Sequence, residues 1–228
     1  MITTHDFVVI WECATIAVTL AVLWFIVFRA APERRPLYWA IFLAWLLAGY
    51  IWDVNINFVG HVEYSDHWWM MYRVNGKAEP AIAPFIYIFW EVVPALVALH
   101  YRELLNRALG RHAIWWILLG FLLWSFYLDF ASTSWHPVWA YYQRWPYKLE
   151  YPLTAPFVND FLCTGAFFVF RKLDDLRQRG VQLRFRELAV RSALATNVTC
   201  AILLVSIVVL KQLPLLDRIP IPYVKSQY

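Results

Sequence analysis

Five carboxylic acids stand inside apolar stretches of this 228-residue chain: Glu12, Asp53, Glu91, Asp129 and Asp160. No Lys or Arg lies within those stretches. An ionised carboxylate at the centre of a bilayer costs about 2.5 kcal/mol or more, so each acid needs a reason to be there. Burial favours the neutral form of a carboxyl. Each acid could also accept hydrogen bonds from Trp, Tyr or Asn, hold a cation, or meet a loop residue such as Arg73, Lys77, Arg144, His61, His67 or His136. A neutral carboxylic acid in an apolar pocket is a Brønsted acid. Trp and Tyr number 14 and 13 in this chain, and ring faces attract cations by their quadrupole. An acid with aromatic walls can protonate an alkene or epoxide and shelter the carbocation. A second carboxylate can then take a proton away as general base.

The elements that carry these acids are membrane helices by length. Hydrophobic residues make up 61% of the chain and charged residues 16%, against roughly 25% charged in soluble domains. A bilayer crossing takes about 20 mostly apolar residues. Six runs qualify: Phe7 to Phe28, Leu37 to Val59, Ala81 to Leu99, Ala113 to Ala131, Pro152 to Phe170 and Ser192 to Leu210. The expected fold is therefore all-α, a polytopic integral membrane bundle of about six helices forming a single domain. The first run lacks a basic leader and is too long for a cleavable signal peptide. Cys13, Cys163 and Cys200 are far apart and sit in apolar runs, so they read as buried small hydrophobes with no disulfide framework.

The loops alternate in composition. "RAAPERRP", "HYRELLNRALGRH" and "RKLDDLRQRGVQLRFRELAVR" are rich in Arg; "HVEYSDHWWMMYRVNGKAEP" and "STSWHPVWAYYQRWPYKLEY" are rich in aromatics. The positive-inside rule assigns the first set to the cytoplasm. Both termini then face the other side, in a bacterial inner membrane or a eukaryotic endoplasmic reticulum. Lys172 to Arg191 is expected to include a surface helix with a solvated basic face. The net charge of +4 is gathered in loops and carries no nucleic-acid signal.

In that orientation all five acids lie at or above mid-membrane on the non-cytoplasmic side. They sit on polar stripes at helical spacing: Gly49, Asp53 and Asn57; Glu12, Thr15 and Thr19; Ser125, Asp129 and Ser132; Pro156, Asp160 and Thr164. Such stripes turn inward because lipid cannot satisfy them. The expectation is one polar and aromatic cavity in the outer half. Its wall candidates are Asn57, Trp52, Trp90, Tyr87, Asp160, Trp124 and Tyr127. Tyr87 lies one turn before Glu91. Glu12 and Asp160 are the acids with the best claim to a merely structural role.

The stretches "FWEVVPALVAL", "FYLDFAST" and "YPLTAPFVNDFL" resemble the three-helix core of the emopamil-binding/sterol isomerase (EXPERA) family. The resemblance covers roughly Gly49 to Leu173. It implies that Asp53, Glu91, Asp129 and Asn159 line a lipid-accessible catalytic cavity. The family has a His four residues before the second-helix acid, where this chain has Gly49, and a Trp three residues after the Asn, where it has Leu162. "IWDV" and "FWEVV" are similar to the Trp-acid pairing of small membrane-bound terpene cyclases, which use two membrane acids on an isoprenoid. Both resemblances imply an isomerase or cyclase whose partner is a membrane lipid or isoprenoid and which uses no cofactor. A homo-oligomer stays open.

Rival readings use the same residues. The cavity could hold a sterol, carotenoid or tetrapyrrole without turnover, or the chain could be an accessory subunit. Carboxylates with His61, His67 or His136 could ligate iron or zinc, although no HxxxH or ExxH spacing appears. A proton path is disfavoured because the other halves of the helices are nearly bare of ionisable groups, with Asn197 a poor relay.

Overall fold

The computed structural model describes residues 3–60, 62–65, 67–74, 77–134, 139–141, 150–152, 155–212 and 218–220. Helix α1 (Thr4–Trp24) opens on a capping box. Thr3 Oγ1 accepts the Asp6 amide at 3.1 Å, and Asp6 Oδ2 accepts the Thr3 amide at 2.9 Å. The box satisfies donors that the first turn leaves open, so the helix starts ahead of the apolar run. It passes into a π-helical turn, Phe25–Arg29, and stops where Ala30 turns extended.

Helix α2 (Arg35–Gly60) is the centre of the bundle. Next come α3 (Ala83–Tyr87), a π-helical turn (Ile88–Val92) and α4 (Val93–His100), which follow one another without a break. Pro94 accounts for the widened turn. It has no N–H to donate, and its ring crowds the carbonyl four residues back, at Trp90. A bend at Tyr101 leads into α5 (Arg102–Leu109), which has no buried residue. Gly110, at φ +56°, then turns the chain in a conformation that few side chains tolerate. Helix α6 (Ala113–Ser134) returns across the bundle, followed by α7 (Ala155–Gln178) and α8 (Phe185–Gln212).

Among the described residues, five helical stretches are long and apolar enough to cross a membrane: His5–Arg29, Arg35–Asn55, Ala83–His100, Arg102–Ser132 and Phe185–Ser206. The sixth expected crossing, at 152–170, falls on α7, which turns charged from Arg171 onward. No separate surface helix occupies 172–191. Helices α7 and α8 fill that segment with a short turn at Gly180 between them. The exposed short helix is α5.

Helix α2 packs along α8 and against α3, and α7 lies between α6 and α8. The main core joins Ile41, Trp45 and Ala48 of α2 to Ile88, Val92 and Leu96, with Phe121, Phe167, Phe170 and Cys200 from the later helices. Glycine sets two close approaches. A Cβ on Gly165 would lie 2.9 Å from Thr199, and one on Gly49 would lie 2.9 Å from the Cα of Pro84.

Among the described residues, the all-helical expectation also gains three small antiparallel ribbons at one end of the bundle, where α2 and α6 finish and α3 and α7 begin. Strand β1 (Val62–Tyr64) pairs with β4 (Trp139–Tyr141), β2 (Met71–Val74) with β3 (Lys77–Pro80), and β5 (Glu150–Pro152) with β6 (Arg218–Pro220). In the β2–β3 ribbon Tyr72 stands opposite Glu79.

At the opposite, arginine-rich end, Asp174 is buried. Arg102 reaches it at 3.3 Å and also meets Asp175, while Gln178 donates to Asp174 at 2.9 Å. Arg34 donates to the carbonyls of Leu99 and His100 at 3.3 Å each. Part of the expected solvated basic face is thus a network that pins α7 to the α4–α5 corner.

Candidate acid site

Near its ribbon end, α2 delivers Asp53, only 5% exposed. The Tyr64 hydroxyl, from β1, approaches its two oxygens at 3.5 and 3.4 Å. The side chains of Tyr87 and Glu79 are also its neighbours. Glu79 itself is 1% exposed. The sequence offered loop cations as partners for Asp53, and the structure brings a second acid. Arg73 is exposed, and His67 packs edge-on to His5 at 5.6 Å. His61, His136 and Arg144, with the side chain of Lys77, lie outside the described residues.

Glu79 had one signal in the sequence. Asn75-Gly76 between "MYRV" and "KAEP" is a strong short-range mark of a β-hairpin. The observed register, with Val74 facing Lys77, carries on to set Glu79 against Tyr72. Burial and the negative charge of Asp53, then of Glu79, raise the Tyr72 pKa above the usual tyrosine value.

Tyr87 links Asp53 to the next acid. It is on the last turn of α3 and stacks on Trp45 at 6.3 Å. The missing side chain at Gly49 lets Pro84 and the Tyr87 ring come against α2. Tyr87 is close enough to Asp53 and Glu91 to feel both charges. Glu91 is 2% exposed and lies on the π-helical turn, near Cys200 of α8. π-helical turns recur at functional sites. Asp129 is buried on α6 at 1% exposure, between Ser125 and Ser132, both also buried. Ser132 spends its hydroxyl on the Leu128 carbonyl.

An aromatic cluster adjoins this group. Trp11, Trp68, Ile86 and Leu128 are buried together, with Tyr64, Phe89, Trp90 and Trp124 packed against them. Trp124 stacks on Phe89 at 5.4 Å, and Trp11 meets the same ring edge-on at 5.8 Å. Tyr64, which contacts Asp53, also meets Trp68 at 5.8 Å. Acid and aromatic groups therefore share a residue. Among the described residues, nothing accepts from the buried Trp124 Nε1–H or bonds the Ser125 hydroxyl.

Tyr87 lies near both Asp53 and Glu91, and Trp90 and Trp124 belong to the adjoining cluster. Two candidates stand apart. Tyr127 is 60% exposed on α6, because it follows the buried stripe by two residues and points away from it. Trp52 donates its indole N–H to Asn197 at 2.7 Å, which makes it a tie between α2 and α8. Asn197 is thereby explained as well. Glu12 accepts the Trp69 amide at 2.6 Å, so this acid fastens the ribbon-end loop to α1. Asn57, Asn159 and Asp160 are in helices α2 and α7; their side chains lie outside the described residues.

No protein-family model matches the chain, and neither does any curated protein or solved structure. The site's geometry and chemistry are therefore the ground for a functional reading.

Proposed function

We propose that the chain is an integral membrane acid–base enzyme, an isomerase or cyclase acting on an isoprenoid- or sterol-like lipid. The carrying observation is the pair of buried carboxyls, Asp53 and Glu91, on separate helices with Tyr87 close to both and an aromatic cluster adjoining. The Arg-rich loops support an orientation with the acids in the non-cytoplasmic half and both termini on that side. The similarity of the core stretches to the sterol isomerase family and to small membrane terpene cyclases supports the same chemistry, with Asp129 and Asn159 as further polar residues of the cavity.

In this reading a carboxylic O–H transfers its proton to one alkene carbon. The π pair becomes the new C–H bond, and the neighbouring carbon becomes cationic. A desolvated aromatic face stabilises such a cation by about 2 kcal/mol. A second carboxylate removes a proton from an adjacent carbon, and that C–H pair becomes the new π bond. One carboxylate forms as the other is neutralised, so the site's charge is unchanged over the reaction.

The test is turnover and co-purified lipid in wild type, Asp53→Asn and Glu91→Gln, with lipid identified by mass spectrometry. A lipid that accumulates only in the folded variants, at the expense of its product, supports the enzyme. Undiminished activity in both variants removes these two acids from the mechanism. The same unaltered lipid in all three proteins identifies a lipid binder instead.

A further inference from the structure

We infer that Arg34 and Arg177, together with the buried Tyr38 hydroxyl, form a binding site for the phosphate of an anionic phospholipid headgroup. The site is at the arginine-rich end, across the bundle from the acids, and it does not depend on the enzyme reading.

Buried polar atoms without partners mark it. Tyr38 is 0% exposed on the first turn of α2, and among the described residues its hydroxyl bonds nothing. One terminal guanidinium nitrogen of Arg177 is likewise buried and without an acceptor among the described residues. A buried charged donor left unmet is costly. A phosphate oxygen is the acceptor that a guanidinium fork suits best. These groups come from one corner. Leu173 is buried in the same core as Tyr38, and Arg177 follows it by one turn on that face of α7. Arg34 stands one turn before Tyr38, whose amide donates to the Arg34 carbonyl at 3.1 Å. Arg34 and Tyr38 are both neighbours of Arg177.

The acids of this corner are spent elsewhere. Asp174 and Asp175 pair with Arg102, and Asp174 also accepts from Gln178. Glu103 is 67% exposed, 3.6 Å from Arg107 and 3.8 Å from Arg34. Asp174 and Glu33 are neighbours of Arg177, yet among the described residues neither forms an ion pair with it. Cations outnumber acids across 29–35, 102–111 and 171–191, so the corner attracts an anion.

Depth selects a lipid. The crossings His5–Arg29 and Arg35–Asn55 finish and start on either side of Arg34, and Arg34 bonds the last carbonyl of the Ala83–His100 crossing. Headgroup phosphates lie at that level, and basic pockets between membrane helices bind anionic headgroups. The Arg34 and Arg177 side chains both reach the surface in part, so a headgroup can enter from outside the bundle. Trp24 and Phe28, 54% and 68% exposed where the first crossing ends, give acyl chains an apolar surface beside it.

The experiment is native mass spectrometry of the full chain in detergent, titrated with phosphatidylglycerol, phosphatidylcholine of the same acyl chains, or inorganic phosphate. Wild type should hold phosphatidylglycerol more tightly than phosphatidylcholine. Arg177→Gln should weaken that binding about tenfold, and Tyr38→Phe by less. Arg186→Gln, which removes an exposed charge from the same end, should leave it nearly unchanged. A loss in Arg177→Gln no larger than in Arg186→Gln overturns the inference. Arg177→Lys keeps the charge without the fork and covers the case in which Arg177→Gln does not fold: it too must weaken binding. Inorganic phosphate bound through Arg177, with no preference between the two lipids, overturns the lipid in favour of a free phosphate. None of these readings requires turnover, so loss of the enzyme reading leaves them intact.

Discussion

Gly49 and Pro84 touch backbone to backbone: a Cβ added to Gly49 would lie 2.9 Å from the Pro84 Cα and 3.0 Å from both the Pro84 carbonyl oxygen and the Tyr87 ring. The contact seats the Tyr87 ring against Gly49, one turn of α2 before Asp53.

Gly49→Ala tests the contact by its sign. On an isolated helix the change stabilises by about 1 kcal/mol. Against the rigid backbone of Pro84 it overpacks, at a cost of about 1–3 kcal/mol. Thermal unfolding in detergent should show a lower midpoint for Gly49→Ala; a raised midpoint would mean that the helices are farther apart.

Trp52 and Asn197 should behave as a structural tie. Interhelical hydrogen bonds in membranes average about 0.6 kcal/mol and reach about 1.7. Trp52→Phe and Asn197→Ala are expected to lose stability in that range, and the double variant little more than either single. Turnover per folded molecule should be nearly unchanged. A large loss of turnover in Trp52→Phe alone would return Trp52 to the cavity wall.

Glu12 anchors the loop that leads into the β2–β3 ribbon, through its bond from the Trp69 amide. A hydrogen bond to a charged group contributes about 1.5–3 kcal/mol. Glu12→Ala should speed hydrogen exchange across residues 67–80 while leaving exchange in α8 alone, and Glu12→Gln should have a smaller effect.

At the far end, Arg102 and Asp174 form a nearly dry ion pair, their side chains 13% and 3% exposed. Removing Arg102 leaves the buried Asp174 carboxyl without the guanidinium that reaches it, at about 3–5 kcal/mol, whereas Asp174→Ala leaves Arg102 paired with Asp175. Arg102→Met is expected to destabilise strongly, Asp174→Ala less, and Arg102→Met combined with Asp174→Leu to recover much of the loss. Melting midpoints of the two singles and the double decide it.

Tyr72 provides a pH dependence outside the crossings. Burial and the charges of Asp53 and Glu79 raise its pKa above the ordinary 10.0. A raised folded-state pKa contributes stability that is complete below the unfolded value and is lost as pH rises through the folded one. The protein should therefore weaken in the alkaline range above pH 10.0. Tyr72→Phe should resist alkali better than wild type in circular dichroism melts, and equal alkali sensitivity would place Tyr72 away from the acids.

Much of the architecture was legible in advance because apolar length is a one-dimensional property. The run from Leu37 to Val59 became Arg35–Gly60, and the run from Ala113 to Ala131 became Ala113–Ser134. Asp53, Glu91 and Asp129 were expected to be buried and are, since a carboxyl inside such a run has no cheap place on the lipid face. What faces what was less legible. Tyr127 was expected in the cavity wall although it lies two residues off the stripe of Ser125, Asp129 and Ser132, and it turns outward.

The chain by itself determined which stretches are apolar enough to cross a membrane and that Asp53, Glu91 and Asp129 are hidden within them, because hydrophobic length and the cost of stranded charge act residue by residue. Only the tertiary structure decided which acids meet. Asp53 and Glu79 are 26 positions apart, on a helix and a strand, and nothing local in either segment specifies the other. Their nearness follows from α2 packing on β1 and β1 on β3, which is a property of packing between elements.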